Sequence, residues 1–321
     1  MIKTGSDFSG VGAFDQALRK LGIDYKTIYA CDWDKYSRQT YIENYGEPKY
    51  FPKDVYERKI PKESLDLYMT SPPCQAFSLA GKRKGEDDER GVLFYNSHEF
   101  IQKNNPRYFI FENVRGLLSD ANGLTFKVWL DMLGGKSVNG NPVLFPNENS
   151  TPYHIYWQVL NAKNYGVPQN RERVFIIGIR DDADNMFRFP KTQHLTKKLK
   201  DVLEDNVDDK YFLNEYTNNK RVNQNYNKHK NIIEKGDFMD SYNQTIHKDI
   251  TPTITSRITG SNNYHIFEEK HIRRLTPREC FRLMDFPEDF KWSVSDTQAY
   301  KQAGNSIVVN VLAEIINKLK L

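Results

Sequence analysis

Short apolar runs alternate with segments of helical spacing through the first half of the chain, and few architectures accept that alternation. "GSDFSGVGAFDQALRKLGI" leaves the end of an expected first strand, passes Gly10 and Gly12, and enters a helix carrying Phe14, Ala17, Leu18 and Leu21 on one face. "TIYACDW" reads as a second strand, and Tyr36 to Tyr45 as the helix after it. A third strand is expected to end at Asp54, and Leu65 to Met69 is a buried run just before "TSPPCQAFS". "RYFIFENV" and, from Arg173, "RVFIIGIR" are further continuous apolar strands. Such alternation predicts an α/β domain with a mostly parallel sheet covered on both faces, and ligands in these sheets sit at the carboxyl ends of the strands.

Each strand end carries polar chemistry. Gly10 and Gly12 suit either a tight turn or a close backbone approach to a ligand at a helix N-terminus. Asp32, about 20 residues further on, stands where a ribose diol is held, with Trp33 beside it for stacking and Asp54 as a candidate for an adenine amino group. Together they suggest an adenosine-containing cofactor without naming it. A lone cysteine is ordinarily a small core residue. Cys74 follows two prolines that fix the backbone and precedes polar Gln75 and Ser78, which favours a nucleophile able to add to an aromatic ring carbon. Glu112, ending its own strand on the same sheet edge, suits an acid that protonates a ring nitrogen, against the plainer reading of a capping or salt-bridged glutamate.

Composition narrows the class. A chain of 321 residues is long enough for one large α/β domain and a smaller partner. No stretch approaches the roughly 18 to 20 apolar residues of a membrane span, and Met1 to Gly5 has no apolar signal core, so a soluble cytoplasmic protein is expected. Cys31, Cys74 and Cys280, odd in number and far apart, suggest neither a disulfide framework nor a metal site. The net charge of +4 is mild and matters only where basic residues cluster.

"DFSGVGAF", "CDWD", "TSPPCQAFS", "FENVRGLL", "YGVPQNRERVFIIGIR" and "YKQAGNSIVVNVL" occur in the order of the motifs of the cytosine-C5 DNA methyltransferases, from first strand to last helix, and the chain resembles that family. One departure stands out: the family usually has an acidic residue two places before the first-motif Phe, whereas Asp7 is adjacent to Phe8. The resemblance implies a Rossmann-like methyltransferase domain formed by residues 1–189 and 290–321, a smaller, irregular, β-rich target-recognition domain at 190–271, and a hinge at 272–289. It implies S-adenosylmethionine as cofactor, held by Phe8, Ser9, Gly10, Val11, Gly12, Asp32, Trp33, Asp54, Val55, Pro73, Leu93, Asn305 and Ser306. By the same resemblance Cys74 adds to C6 of a flipped-out cytosine, Glu112 holds N3 and the exocyclic amine, and Arg171 and Arg173 contact the base O2 and steady Glu112 and the phosphate.

Double-stranded DNA is the implied substrate, with a monomer as the expected state and a cognate restriction endonuclease as a companion of such enzymes. The glycine- and charge-rich stretch from Ser78 to Gly91 suits a loop closing over the flipped base, or a passive solvated loop; Ser78, Lys82, Arg83 and Lys84 on it, with Gln75 just before it, are candidate DNA contacts. In the recognition region Arg221 stands in a basic run without acids, which suits either phosphate contacts or a solvated face. "TPTITSRITGSNN" resembles the family's threonine-centred recognition signature, making Thr253 and Arg257 candidates there. Residues 134–152 read as an inserted surface loop. A transfer-RNA methyltransferase of the same architecture is the alternative; that branch carries Cys-Phe-Thr in its recognition region, and the only Cys-Phe here is followed by Arg282. A DNA-binding relative with a decayed site is a third reading, against which Cys74, Glu112 and the glycines are all retained.

Overall fold

Eight strands form one sheet in the order β2-β1-β3-β4-β8-β7-β5-β6 in the computed structural model, which describes residues 1–73, 92–183, 186–213, 220–256, 264–268 and 271–321. The strands are β1 (Ile2–Asp7), β2 (Tyr25–Cys31), β3 (Leu67–Thr70), β4 (Tyr108–Val114), β5 (Ser137–Val138), β6 (Asn141–Pro142), β7 (Tyr153–Asn161) and β8 (Glu172–Arg180). β1 pairs in parallel with β2 and β3, and β3 in parallel with β4, as the strand–helix alternation predicts. β8 runs antiparallel to β4, so the apolar run from Arg173 closes the central sheet in the opposite direction. Strand direction is invisible in a continuous apolar run, because both orientations bury the same faces.

Two expectations change. No described strand ends at Asp54: Tyr50 alone makes a parallel bridge to Tyr29, through Tyr50 N–H to Ile28 O (3.0 Å) and Ala30 N–H to Tyr50 O (3.0 Å). The segment expected as a plain surface loop holds the β5–β6 hairpin, which extends the sheet beyond β7. The region from 190 contains a second, antiparallel sheet, as the β-rich expectation has it, together with a helix.

The described chain divides into two compact units: residues 1–160, 172–191 and 312–321, and residues 161–171 and 192–311. In the first unit α1 (Ala13–Lys20) begins immediately after Gly12 and buries Ala13, Phe14, Ala17 and Leu18. Its Asp15 is also buried, where Thr27 of β2 (2.7 Å) and Tyr41 of α2 (Lys35–Tyr45) (2.8 Å) donate to its carboxylate. That is the condition on which a buried carboxylate is tolerated. Asp34 caps α2, accepting from the backbone N–H of Tyr36 and Ser37. α3 (Val92–Asn104) and α4 (Leu124–Leu133) supply aromatic packing on the sheet: Phe94 stacks on Trp129 with centroids 4.3 Å apart, and Tyr68 on Phe100 at 4.2 Å.

In the second unit β9 (Phe238–Asp240), β10 (Thr245–His247), β11 (Tyr264–Glu268) and β12 (His271–Arg274) form an antiparallel sheet in the order β10-β9-β11-β12. Helix α5 (Lys220–His229) buries Val222 and Asn225 and leaves Lys220, Arg221 and Lys228 exposed. Ile233, Met239 and Phe267 form the small core with Tyr226, Ile246 and Ile272 against it. The fully buried Arg273 is held bidentately by Glu279 of α6 (Pro277–Arg282) at 2.9 Å, and Glu279 completes a capping box with Thr276. Helix α7 (Asp296–Asn305) also lies in this unit, and α8 (Val309–Ile316) follows, its residues from Leu312 grouping with the first unit. The stretches 272–289 and 290–311 both group with the second unit. Among the described residues no helix is long and apolar enough to cross a membrane.

Two glycines give a discriminating stability test. Both have positive φ, Gly10 at +54° and Gly12 at +83°, so a side chain at either costs about 1–2 kcal/mol in backbone strain. A Cβ on Gly12 would also lie 2.2 Å from the Tyr45 ring, whereas one on Gly10 meets nothing within 4 Å. Gly12→Ala should therefore lose about 1–3 kcal/mol more than Gly10→Ala in urea denaturation, through overpacking; equal losses would refute the close contact.

His265 gives a pH test. Burial, with the nearby Arg274 charge, pushes its imidazole down from 6.5 to about 4. The folded state then binds fewer protons than the unfolded chain in that window, so stability is lost as pH falls from about 6.5 toward 4, by up to about 3 kcal/mol. His265→Gln should flatten this slope in denaturation curves at stepped pH; an unchanged slope would contradict it.

Candidate active site

The register of the parallel strands lines up the ends that carry the motifs. Asp7, the last residue of β1, pairs with Cys31 of β2 and Thr70 of β3, and Thr70 pairs with Phe111 of β4. Because these strands run the same way, Phe8, Asp32, Ser71 and Glu112 follow at neighbouring positions along one edge. This is the carboxyl edge, where α/β sheets bind ligands.

Glu112 is 8 % exposed, and Arg173 Nε donates to its Oε1 at 3.0 Å. The pairing follows from the antiparallel β4–β8 ladder, which sets Arg173 opposite Val114, two residues beyond Glu112 on the same face. A second tie comes from Asn113, whose Nδ2 donates to the Pro72 carbonyl at 3.3 Å. The Ser71-Pro72-Pro73 segment is thereby fixed beside the carboxyl group. Arg115, on the far side of the same turn, pairs with Glu172 at 2.6 Å. A carboxyl kept from water by a cation and a rigid strand can accept from a donor or give a proton to an acceptor in front of it, with little reorganisation.

The Phe8–Gly12 turn is shaped by three residues with positive φ, Phe8 (55°), Gly10 (54°) and Gly12 (83°). Ser9 N–H donates to the Cys31 carbonyl (3.0 Å), and Gly10 N–H to Asp32 Oδ2 (2.8 Å). The other Asp32 oxygen accepts from Asp34 N–H at 2.9 Å. Burial raises the Asp32 carboxyl, opposed by these two backbone donors. Asp32 thus holds the glycine turn, and each of its oxygens retains a further lone pair. Trp33 is 84 % exposed, its indole face clear for stacking. Asp54 is exposed and accepts from Tyr56 N–H, while Val55 is buried in the core cluster against which Phe8 and Leu93 pack. Val11 is buried and Pro73 exposed. The space left free above Gly10, the exposed Trp33 and the apolar group of Phe8, Val55 and Leu93 suit a nucleoside with a hydrophobic flank.

In the second unit, Arg171 is buried and donates to three carbonyls, of Ile254 (2.8 Å), Gly304 (3.1 Å) and Ser306 (2.8 Å). Its hydrogen bonds therefore join the threonine segment to the end of α7, whereas those of Arg173 go to Glu112 and the Glu172 carbonyl. Gly304 is the close approach this requires, since a Cβ there would lie 2.3 Å from the backbone of Thr255 and Ser256. Asn305 is exposed and Ser306 buried. Thr253 Oγ1 donates to the Asn170 carbonyl at 2.7 Å. The Arg221 guanidinium lies 5.2 Å from the centroid of the Tyr242 ring, a cation–π contact on an exposed surface.

Cys74, Gln75, Ser78, Lys82, Arg83, Lys84 and Arg257 lie outside the described residues, as does the proposed closing loop. Sequence reasoning passed over two residues, Asn113 and Arg58. Asn113 stands inside the "FENV" motif and was open to notice. Arg58 sits in the polar stretch "DVYERK", which reads as a solvated surface, yet its side chain is 1 % exposed.

Comparison with known proteins bears on the family and the fold. Residues 2–321 match the model of the C-5 cytosine-specific DNA methylases. The type II methyltransferase M.Bsp6I of Bacillus sp. is 35 % identical over 99 % of this chain and 98 % of its own length. M.HhaI of Haemophilus parahaemolyticus is 33 % identical over 96 % of this chain and 91 % of its own. Among solved structures, a Spodoptera frugiperda DNMT2 mutant superposes with a TM-score of 0.72 at 19 % identity, covering 99 % of each chain, and supports the fold alone. With its motifs in family order and a match running nearly end to end, the chain belongs to the C-5 cytosine-specific DNA methylase family.

Proposed function

We propose that this enzyme methylates C5 of a flipped-out cytosine within a specific double-stranded DNA sequence, through a covalent bond between Cys74 and C6. The observation that carries this reading is the parallel β3–β4 register, which sets the Ser71–Pro73 segment leading to Cys74 beside the Arg173-held carboxyl of Glu112. Cytosine C5 is too weak a nucleophile to be alkylated unaided. In this reading the Cys74 thiolate adds to C6 while Glu112 protonates N3, which moves the ring electrons toward C5. Arg173 keeps Glu112 aimed at the ring. After C5 has gained its methyl group, loss of the C5 proton and expulsion of the Cys74 thiolate restore the aromatic ring. A base stacked in a duplex hides C6, so the target must leave the helix at a cost of a few kcal/mol.

S-adenosylmethionine, when bound, supplies the electrophilic methyl group. Phe8, Ser9, Gly10, Val11, Gly12, Asp32, Trp33, Asp54, Val55, Pro73, Leu93, Asn305 and Ser306 are the residues we assign to hold it. The open space over Gly10 and the exposed Trp33 face support that assignment. Residues 190–271 are assigned to target recognition, with Arg221, Thr253 and Arg257 among the DNA contacts, and Gln75, Ser78, Lys82, Arg83 and Lys84 on the loop after Cys74. The type II relatives support a place in a restriction-modification system with a cognate endonuclease.

Expression in a host lacking cytosine methylation, followed by bisulfite sequencing, should show protected cytosines in one short sequence context. Unprotected DNA, or marks confined to transfer RNA, would refute the assignment. Glu112→Gln keeps the shape but loses the proton and should slow methyl transfer by about 10²- to 10⁴-fold in a single-turnover assay with labelled cofactor. A rate within a factor of a few of the parent would remove Glu112 from that role. Exchanging residues 190–271 for those of a relative should carry the sequence preference with them; a preference staying with the rest of the chain would overturn the placement of recognition.

A further inference from the structure

Where the resemblance leads one to expect an acid two places before the first-motif Phe, this chain has Ser6, whose Oγ is buried without a hydrogen-bond partner, and the acid stands at position 7. Neighbouring residues of a strand face opposite sides, so this one-place shift sends the carboxylate to the other face of the sheet. There Asp7 accepts from Tyr29 (2.5 Å) and Tyr68 (2.6 Å) and pairs with Arg58 at 3.1 Å, with the two charged side chains 0 % and 1 % exposed. The same guanidinium donates to the Val55 carbonyl at 2.5 Å and to the Asn96 carbonyl of α3 at 2.7 Å.

Those contacts reach three separate stretches. Asp7 is followed by Phe8 and the glycine turn, Val55 comes directly after Asp54, and Asn96 lies about one turn after Leu93 on α3. Phe8, Val55 and Leu93 also meet in one apolar cluster. We propose that Arg58 is a positioning residue for the cofactor pocket: its planar fork fixes the glycine turn, the Asp54–Val55 segment and the start of α3 at one mutual spacing. The inference rests on the reading above that these stretches hold S-adenosylmethionine. A guanidinium suits the task because its donors diverge in a plane toward several acceptors, which a single ammonium cannot serve at once.

The test uses the full-length enzyme and calorimetric titration with S-adenosylmethionine. Arg58→Lys keeps a positive charge for Asp7 but cannot span both carbonyls; cofactor affinity should fall by roughly tenfold, while DNA affinity measured without cofactor and the thermal midpoint stay near the parent values. The double variant Asp7→Leu/Arg58→Met removes both buried charges together but leaves the Tyr29 and Tyr68 hydroxyls without their acceptor, so its thermal midpoint should fall while its cofactor affinity falls at least as far as that of Arg58→Lys. Parent-like cofactor affinity in Arg58→Lys would overturn the proposal whether or not the double variant folds, and equal losses of DNA affinity and thermal midpoint would reduce Arg58 to a structural role. Trp33→Ala separates the two levels of argument. If it leaves cofactor affinity unchanged, the pocket itself is misplaced; if it weakens binding while Arg58→Lys does not, only the role of Arg58 fails.

Discussion

The side-by-side registration of β3 and β4 is the constraint on which the rest of the site depends. With Thr70 paired to Phe111, the chain leaving β3 must pass the Glu112 carboxyl, and the Asn113–Pro72 hydrogen bond holds it there. A carboxyl 8 % exposed needs a partner, and the reversed direction of β8 supplies it by placing Arg173 two positions along the ladder. A parallel β8 would bring a different residue to that place. The antiparallel strand that the apolar pattern could not foretell is therefore the one that completes the candidate acid.

Buried carboxylates recur as joints in this molecule, each satisfied by donors from separate elements. Asp15 ties α1 to β2 and α2, Asp7 ties β1 to β2, β3 and the Arg58 segment, and Glu279 holds Arg273 while capping its own helix. Removing one partner from such a group is strongly destabilising, because a buried charge is left without compensation. Arg171 does comparable work in the second unit with backbone carbonyls as acceptors. Positively charged residues thus divide between holding the framework and facing solvent on α5, and sequence alone does not tell the two apart.

What could be read beforehand followed from local patterning. β4 and β8 are largely continuous apolar runs, α1 has clear helical spacing, and β1, β2 and α2 followed from their order around these, so all were visible in outline. Glu112 and the glycines were found because strand ends are where chemistry collects in such sheets. The one-residue bridge at Tyr50 looks like a strand in the sequence, since an aromatic pair shortly before an acid reads the same in both cases. The β5–β6 hairpin was hidden in a run of Gly, Asn and Pro, and α5 presents only Val222, Asn225 and Tyr226 inward, too few for its periodicity to stand out. Arg58 was passed over for a deeper reason: its partners at 7, 55 and 96 come together only in the fold.

Cytosine carrying fluorine at C5 gives the most direct test, because a sulfur adduct at C6 that has accepted a methyl group then has no C5 proton to lose. The enzyme, its methyl donor and duplex DNA copied with 5-fluorodeoxycytidine triphosphate should yield a denaturant-resistant complex, and peptide mapping should place the attached nucleotide on Cys74. Recovery of the protein wholly free of DNA, or attachment at any other residue, would contradict the account.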